Sequence, residues 1–360
     1  MPKSRPKPLR RTRPKWQRDR LFKYCQFYLK DTELNHLSAF LLSIYSLVNG
    51  SGAAIAQGTA DTFPSKPVTI IIALAAGGPA DVEARLYTPK LVTMLGQPFV
   101  IDFKPGGGGT IGTAAVAKAA PDGYTLLLTD GNFNSYNALY KDLPFDTNRD
   151  FAPISLMSLK HFVLVVPASS PLKTVSEYIA HAKANPGKVN YSTTGAGGSA
   201  HLAGASLQNM TGTKVTFVHY KGASQLLPDL MAGRLDVVPL ALQPALPLLK
   251  SGKIRALGVM GEKRAALLPG VPTVAEQGVP GYSYESWVGF SAPGATPAAT
   301  VNKLNDALVK VVRMPDIIAT LEAQGSVPVG NTAAQYKQML SNETERRRKV
   351  VQESGIKLEE

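Results

Sequence analysis

One stretch, from Val68 to Leu95, sets the strongest limit on how this chain can fold. It opens with five β-branched residues, passes through the pair Gly77-Gly78 and continues with helical character from residue 80. This order predicts a buried strand, a tight glycine turn and a helix start. Such a turn directs free backbone N–H groups at one point, where the helix dipole adds partial positive charge. The stretch therefore predicts either an anion site without Arg or Lys, or a plain strand-to-helix connection in an α/β domain.

Short apolar runs alternate with helical segments along the rest of the chain, which is the pattern of an α/β fold. No internal repeat is evident after residue 60. Pro89 lies inside the first predicted helix, 80–95, and should kink or break it. The apolar runs predict strands at 68–74, 98–103, 124–129, 163–166, 189–191, 215–218, 236–238, 254–259 and 284–290.

The formal charge of +13 is concentrated at the N-terminus. Residues 1–36 carry eleven Lys or Arg and three acidic residues, a net +8, and an uncharged apolar run from Leu37 to Val48 follows. Small residues then lead to Ala54-Ile55-Ala56, a cleavage pattern. The order predicts that 1–56 is a basic leader with a secretory signal peptide cut near Ala56, and hence a periplasmic protein. A retained amphipathic anchor is the alternative.

The mature chain would contain no cysteine, because the only one, Cys25, precedes the predicted cut. Thiol chemistry and disulfides are therefore not expected. Aromatic residues are not interleaved with Lys or Arg in the mature part, which argues against a nucleic-acid partner. The sequence lacks a G-x-S-x-G motif, a Walker A motif and His spacing for a metal, so we expect no catalytic residues, no metal and no cofactor.

A second glycine loop raises one rival interpretation. Gly107, Gly109 and Gly112 spell G-x-G-x-x-G between a predicted strand and helix, and Asp130 ends the next strand. This is the spacing of a dinucleotide fingerprint, so a dinucleotide-dependent oxidoreductase is the main alternative. However, residues 104–106 separate the strand from the first fingerprint glycine, and an exported protein would meet little NAD. The other interpretation is a glycine loop that lets a helix approach a strand closely.

A third glycine loop, 193–199, again follows a predicted strand and opens a helix. It offers backbone N–H groups and hydroxyls, so it is either an anion or polar-ligand cradle or a structural cap. His201 and His219 lie near the glycine loops and could touch a ligand, although a lone histidine is more often structural. A two-lobed receptor for a small carboxylate requires two such anion cradles and no catalytic residues.

The mature chain resembles the Bug-type periplasmic solute-binding receptors of tripartite tricarboxylate transporters. The resemblance runs from about Phe63 to Lys357 and depends on an ordered set of segments rather than on any one of them. These segments are 63–68, 75–81, 104–112, 121–126, 143–146, 150–154, 201–204, 220–222, 252–257 and 268–273.

The resemblance implies an α/β, type II-like periplasmic-binding fold, with a ligand cleft between two lobes joined by chain crossovers. Lobe one would comprise 61–162 and 286–360, and lobe two 163–285. The ligand carboxylate would lie on the turn 74–81, bound through backbone N–H groups and bridging waters. The implied ligand-binding residues are Leu74, Ala75, Ala76, Gly77, Gly78, Asp81, Ser192, Thr193, Thr194, Gly195, Gly197, Ser199, His201, Tyr220, Lys221, Gly222 and Leu240.

The resemblance also implies a non-enzymatic receptor that delivers a small organic carboxylate to the membrane subunits of a transporter. A ligand-sensing receptor for a signalling partner is a further alternative. Asp81 would contact ligand or water, or would only complement the helix dipole. Pro79 removes one possible N–H donor from the turn. Leu240 stands where many relatives carry a polar or acidic residue, so we expect a preference for carboxylates less polar than amino acids.

Overall fold

In a computed structural model, residues 63–220 and 223–356 are described. The predicted leader, its cleavage site and the candidate residues Lys221 and Gly222 lie outside the described residues. Within the described ranges, no helix is both long enough and apolar enough to cross a bilayer.

The described residues form ten strands and ten α-helices. The strands are β1 (Val68–Ile72), β2 (Phe99–Phe103), β3 (Thr125–Asp130), β4 (Phe151–Pro167), β5 (Asn190–Thr193), β6 (Thr216–His219), β7 (Val238–Ala241), β8 (Ile254–Val259), β9 (Glu285–Pro293) and β10 (Ser326–Pro328). The helices are α1 (Pro79–Leu95), α2 (Thr110–Ala117), α3 (Tyr136–Leu139), α4 (Val175–Ala184), α5 (Ser199–Thr211), α6 (Ala223–Met231), α7 (Leu242–Lys250), α8 (Ala298–Val312), α9 (Pro315–Ala323) and α10 (Ala333–Ser354).

The largest sheet has the strand order β10-β4-β9-β3-β1-β2, and β7 and β8 also pair with β4. β1 lies between β2 and β3 and is parallel to both, whereas β9 runs antiparallel to β3 and β4. β5 and β6 form a separate parallel pair. The central position of β1 explains its unbroken β-branched sequence, because a parallel strand covered on both faces contacts apolar residues all along its length.

β4 is 17 residues long and changes partners along its length. It pairs with β9 as far as His161, opposite Glu285, and with β7 from Phe162 onward. The sequence predicts a strand only over 163–166, because the preceding residues are not uniformly apolar. Ser158 explains this pattern, since its hydroxyl donates to the buried carboxylate of Glu83 at 2.9 and 2.8 Å.

The buried apolar residues form four clusters, which we combine into two core groups by their place in the sequence. Two clusters draw their buried members from 63–157 and 287–340 and form one core group, and the other two draw theirs from 163–284 together with Val351. We propose that these groups are the cores of the two predicted lobes, since the change of partners in β4 falls at the same place. α10 contributes to both groups, so the C-terminal end of predicted lobe one packs against lobe two.

Helix α1 shows where a local rule gives way to packing. The sequence predicts a kink or break at Pro89, and the structure contradicts the break, because the helix runs from Pro79 to Leu95 with Pro89 inside it. One face of the helix is buried, including Ala84, Tyr87 and Leu91, and this packing compensates for the missing N–H of Pro89. The helix ends at Gly96, whose left-handed backbone allows its N–H to bond to the carbonyl of Val92.

Candidate functional site

The turn between β1 and α1 has the strand–glycine–helix form that the sequence predicts. Gly77 has a φ of +84°, which glycine adopts without strain, and Gly78 caps the helix in an extended conformation. Pro79 occupies the first helical position, where an N–H would have no partner within the helix. The first N–H groups of α1 therefore point out of the helix end, together with the positive end of its dipole.

Asp81 lies in the first turn of α1, as its helix-dipole interpretation requires, and it also makes contacts within the turn. Its buried carboxylate accepts the N–H of Gly77 at 2.8 Å and pairs with Arg85 Nε at 2.7 Å. The expectation of free amides along the whole turn therefore needs correction at Gly77, whose N–H is already bonded. Asp81 fixes the shape of the turn, and Arg85 balances its charge.

The turn between β5 and α5 repeats this arrangement. Gly197 has a φ of +70°, and Gly198 caps α5 with φ −71° and ψ 171°, close to the −78° and 171° of Gly78. The N–H of Gly197 donates to Nδ1 of His201, four residues on, as Gly77 does to Asp81. The repeat is present in the sequence as A-G-G-x-A at 76–80 and 196–200. This short repeat corrects the expectation that the chain has no internal repeat after residue 60.

His201 is held neutral by its surroundings. Burial, with a smaller effect of the neighbouring His219, lowers the pKa of His201 to about 4. Because Nδ1 accepts the Gly197 N–H, the neutral ring carries its proton on Nε2. The two imidazole centroids are 4.5 Å apart, and Nδ1 of His219 lies 2.7 Å from the hydroxyl of Thr193. Both histidines therefore support the glycine turn.

A cavity of about 590 Å³ lies beside the two turns. It brings together four of the predicted residues, Gly77, Gly78, Thr194 and Leu240. The sequence did not identify the other lining residues, which are Pro79, Val82, Phe162, Ala223, Pro239, Ala241, Gln243 and Pro244. Pro79 and Val82 directly follow the first glycine turn, whereas the others come from separate parts of the chain that only the fold brings together, so no local motif could have revealed those.

Other predicted residues lie around the cavity rather than in its wall. Ser192 is buried, and its N–H bonds to the carbonyl of Val237. Tyr220 donates its hydroxyl to Asp229 at 3.0 Å. The N–H of Ser199 donates to the Asn132 side chain at 3.2 Å, and this contact joins a residue of predicted lobe two to one of predicted lobe one.

In the turn before α5, the hydroxyl of Thr193 donates to the carbonyl of Gly195 at 3.2 Å. On the other turn, Ala75 and Ala76 are exposed. Leu74 borders a separate void of about 10 Å³ that also contacts Asp130. These residues stay predictions as ligand contacts.

The G-x-G-x-x-G loop is filled by the protein itself. The hydroxyl of Tyr136 donates to the carbonyl of Gly108 at 3.0 Å. A Cβ on Gly112 would lie 2.7 Å from the carbonyl oxygen of Lys104, so this glycine lets α2 approach the strand edge. Asp130 accepts the N–H of Asn132 at 2.9 Å, and burial raises its pKa. These contacts favour the structural interpretation of the loop over a nucleotide site.

Comparison with known proteins gives consistent relationships. A family profile described as "Tripartite tricarboxylate transporter family receptor" matches residues 84–356. The protein BugT of Bordetella pertussis is 32% identical over 320 residues, which cover 88% of this chain and 98% of BugT.

Two solved structures are similar over most of the chain. The R. palustris protein Rpa4515 with adipate is 33% identical, with a TM-score of 0.74 over 82% of this chain and 99% of that one. MatC (Rpa3494) from Rhodopseudomonas palustris with bound malate is 30% identical, with a TM-score of 0.71 over 80% of this chain and 100% of that one. The similarity therefore extends over both core groups.

Proposed function

Because the chain belongs to the receptor family of tripartite tricarboxylate transporters, we propose that its cavity captures a small organic carboxylate outside the cytoplasm. The family has a two-lobed periplasmic-binding fold, and two similar proteins have been solved with adipate and malate. The protein acts as a receptor rather than as an enzyme in this proposal.

One observation carries the proposal: two turns of the same backbone form, one from each core group, border a single cavity. Gly77 and Gly78 come from the turn before α1, and Thr194 from the turn before α5. Helix N-termini bind carboxylates through unpaired N–H groups and the positive end of the dipole. A carboxylate between the turns would bind both core groups at once, so its binding would favour closure of the lobes.

The partner and the location follow from the same proposal. The loaded receptor would dock on membrane subunits of a tripartite transporter, and the basic leader would direct export before cleavage near Ala56. Mass spectrometry of the protein recovered from the periplasm tests the export step. We expect a mature N-terminus at Gln57 and no detectable protein that retains residues 1–56.

A thermal-shift screen tests the binding function. It would use monocarboxylates, dicarboxylates, tricarboxylates, aromatic acids, amino acids and NAD, with calorimetry for each positive compound. A ligand at 100 times its Kd adds about 2.7 kcal/mol to the free energy of unfolding, which corresponds to a shift of roughly 5 °C. We expect such a shift with at least one organic acid and none with NAD. A shift with NAD alone would support the dinucleotide alternative instead.

A further inference from the structure

The wall of the cavity beyond the two turns is apolar. Val82, Phe162 and Leu240 line it together with proline and alanine residues. Only Thr194 and Gln243 contribute polar side chains, and both are uncharged. Among residues 63–220 and 223–356, no charged side chain lines this cavity. A ligand that fits this wall presents carbon atoms to most of it, since burying apolar surface is favourable and burying an unpaired charge is not.

The charges next to the cavity are already balanced. Asp81 is paired with Arg85. Lys160 borders an adjoining void, and it forms an ion pair with the buried Glu83. Neither Arg85 nor Lys160 is therefore free to bind a ligand anion without leaving a carboxylate of the protein unpaired.

The positive potential that remains comes from the two helix N-termini. Each is equivalent to about half an elementary charge, so α1 and α5 together match about one carboxylate. A second carboxylate on the same ligand would lie against the apolar wall, where no described side chain could pair with it.

We propose that the natural ligand is a monocarboxylate with an apolar aliphatic or aromatic body, an inference that rests on the proposed function as a carboxylate receptor. Its carboxylate binds between the glycine turns, and its body contacts Val82, Phe162 and Leu240. The amide of Gln243 can hydrogen-bond to one neutral polar group, such as a hydroxyl or a ketone, on that body. Di- and tricarboxylates bind more weakly, because no side chain within residues 63–220 and 223–356 compensates their second charge.

Calorimetry with matched pairs of acids tests this ligand class. Hexanoate and adipate have the same number of carbon atoms, and so do p-toluate and terephthalate, but the second member of each pair has a carboxylate in place of a methyl group. At pH 7.5 all the carboxylates are ionised. We expect the monocarboxylate of each pair to bind at least about tenfold more tightly than its partner.

A charge-introducing variant tests the reason for the preference. Gln243→Lys places a cation in the cavity wall from a half-buried helical position, and we expect adipate to bind about tenfold more tightly than to the wild type. Val92→Lys adds the same charge at an exposed position of α1 and serves as the control, in which affinity for adipate should stay within about twofold. An unchanged adipate affinity in Gln243→Lys would overturn the charge argument.

The possible failures are distinguishable. If adipate and terephthalate bind the wild type as tightly as their monocarboxylate partners, or more tightly, the proposed ligand class is wrong and the carboxylate receptor stands. The same titrations test the contribution of Lys221, which lies outside the described residues. If its cation pairs with a second carboxylate, the dicarboxylates would bind more tightly than their monocarboxylate partners. If no acid in the panel of the preceding section binds, the proposed function itself falls.

Discussion

Replacing Gly78 with valine should weaken ligand binding by at least about tenfold without unfolding the protein. Gly78 has φ −78° and ψ 171°, a conformation that any residue adopts. A Cβ at this position would have its nearest contact at 3.7 Å, to the carbonyl oxygen of Ala75. The protein itself therefore accommodates a Cβ at a residue that lines the cavity.

The magnitudes separate stability from binding. Loss of glycine at a helix N-cap costs about 0.5–1 kcal/mol, and the smaller entropy of the unfolded chain offsets about 0.4–1 kcal/mol of that. The free energy of unfolding should therefore change by less than about 1 kcal/mol. A hydrogen bond to a charged ligand contributes about 1.5–3 kcal/mol, so blocking one amide alone should raise Kd by about tenfold to 150-fold.

Urea denaturation and calorimetry, run on the same preparations, measure the two quantities. Gly96→Ala is the matched control, because its added Cβ meets no atom within 4 Å, its φ of +71° is strained for alanine, and Gly96 does not line the cavity. This variant should lose about 1–2 kcal/mol of stability. If Gly78→Val keeps wild-type affinity for the ligand found in the screen, the ligand lies elsewhere and the assignment of the turn is wrong.

Three further predictions concern the residues that support the site. Asp81→Ala leaves the Gly77 N–H without its acceptor and should lower the free energy of unfolding by about 1–3 kcal/mol in urea, with weaker ligand binding, whereas equal stability would show that this contact is dispensable. Because the pKa of His201 falls from 6.5 to about 4 on folding, the unfolded state binds more protons between these values. Stability should therefore decrease by up to about 3 kcal/mol as pH falls from 6.5 to 4, and His201→Gln should remove most of this pH dependence. Gly112→Ala should cost about 1–3 kcal/mol, because its Cβ would lie 2.7 and 2.8 Å from backbone atoms, whereas Gly270→Ala, with no atom within 4 Å, should be nearly neutral in the same thermal or urea titration.

Local sequence was sufficient to predict the two turns. The strand predicted at 68–74 is observed at Val68–Ile72, and the helix predicted at 80–95 is observed at Pro79–Leu95. Both follow from local rules, namely a β-branched run, a glycine turn and a helical pattern. The partners of the turns were less predictable, since the N–H groups of Gly77 and Gly197 are bonded to side chains four residues away.

The long strand β4 could not be predicted in the same way. Its polar residues Ser158 and Lys160 interrupt the apolar pattern, and both bond to Glu83, which is 75 and 77 residues away in the chain. This long-range pairing satisfies the buried Glu83 carboxylate, which would otherwise be strongly destabilising. A pattern read within one segment contains no information about that partner, and the strand was therefore predicted only over its apolar end.

The difference between local patterns and long-range contacts also explains why the two glycine turns indicate a carboxylate ligand but not which carboxylate it is. The amides of both turns recognise charge and little else, and their backbone angles agree within 7° in φ at Gly78 and Gly198. The apolar wall comes from segments far apart in sequence, as Val82, Phe162 and Leu240 show. Substitutions in the wall should therefore change which carboxylate binds, whereas substitutions in the turns should weaken binding of every carboxylate alike. A turn variant that altered the rank order of ligands would contradict this division.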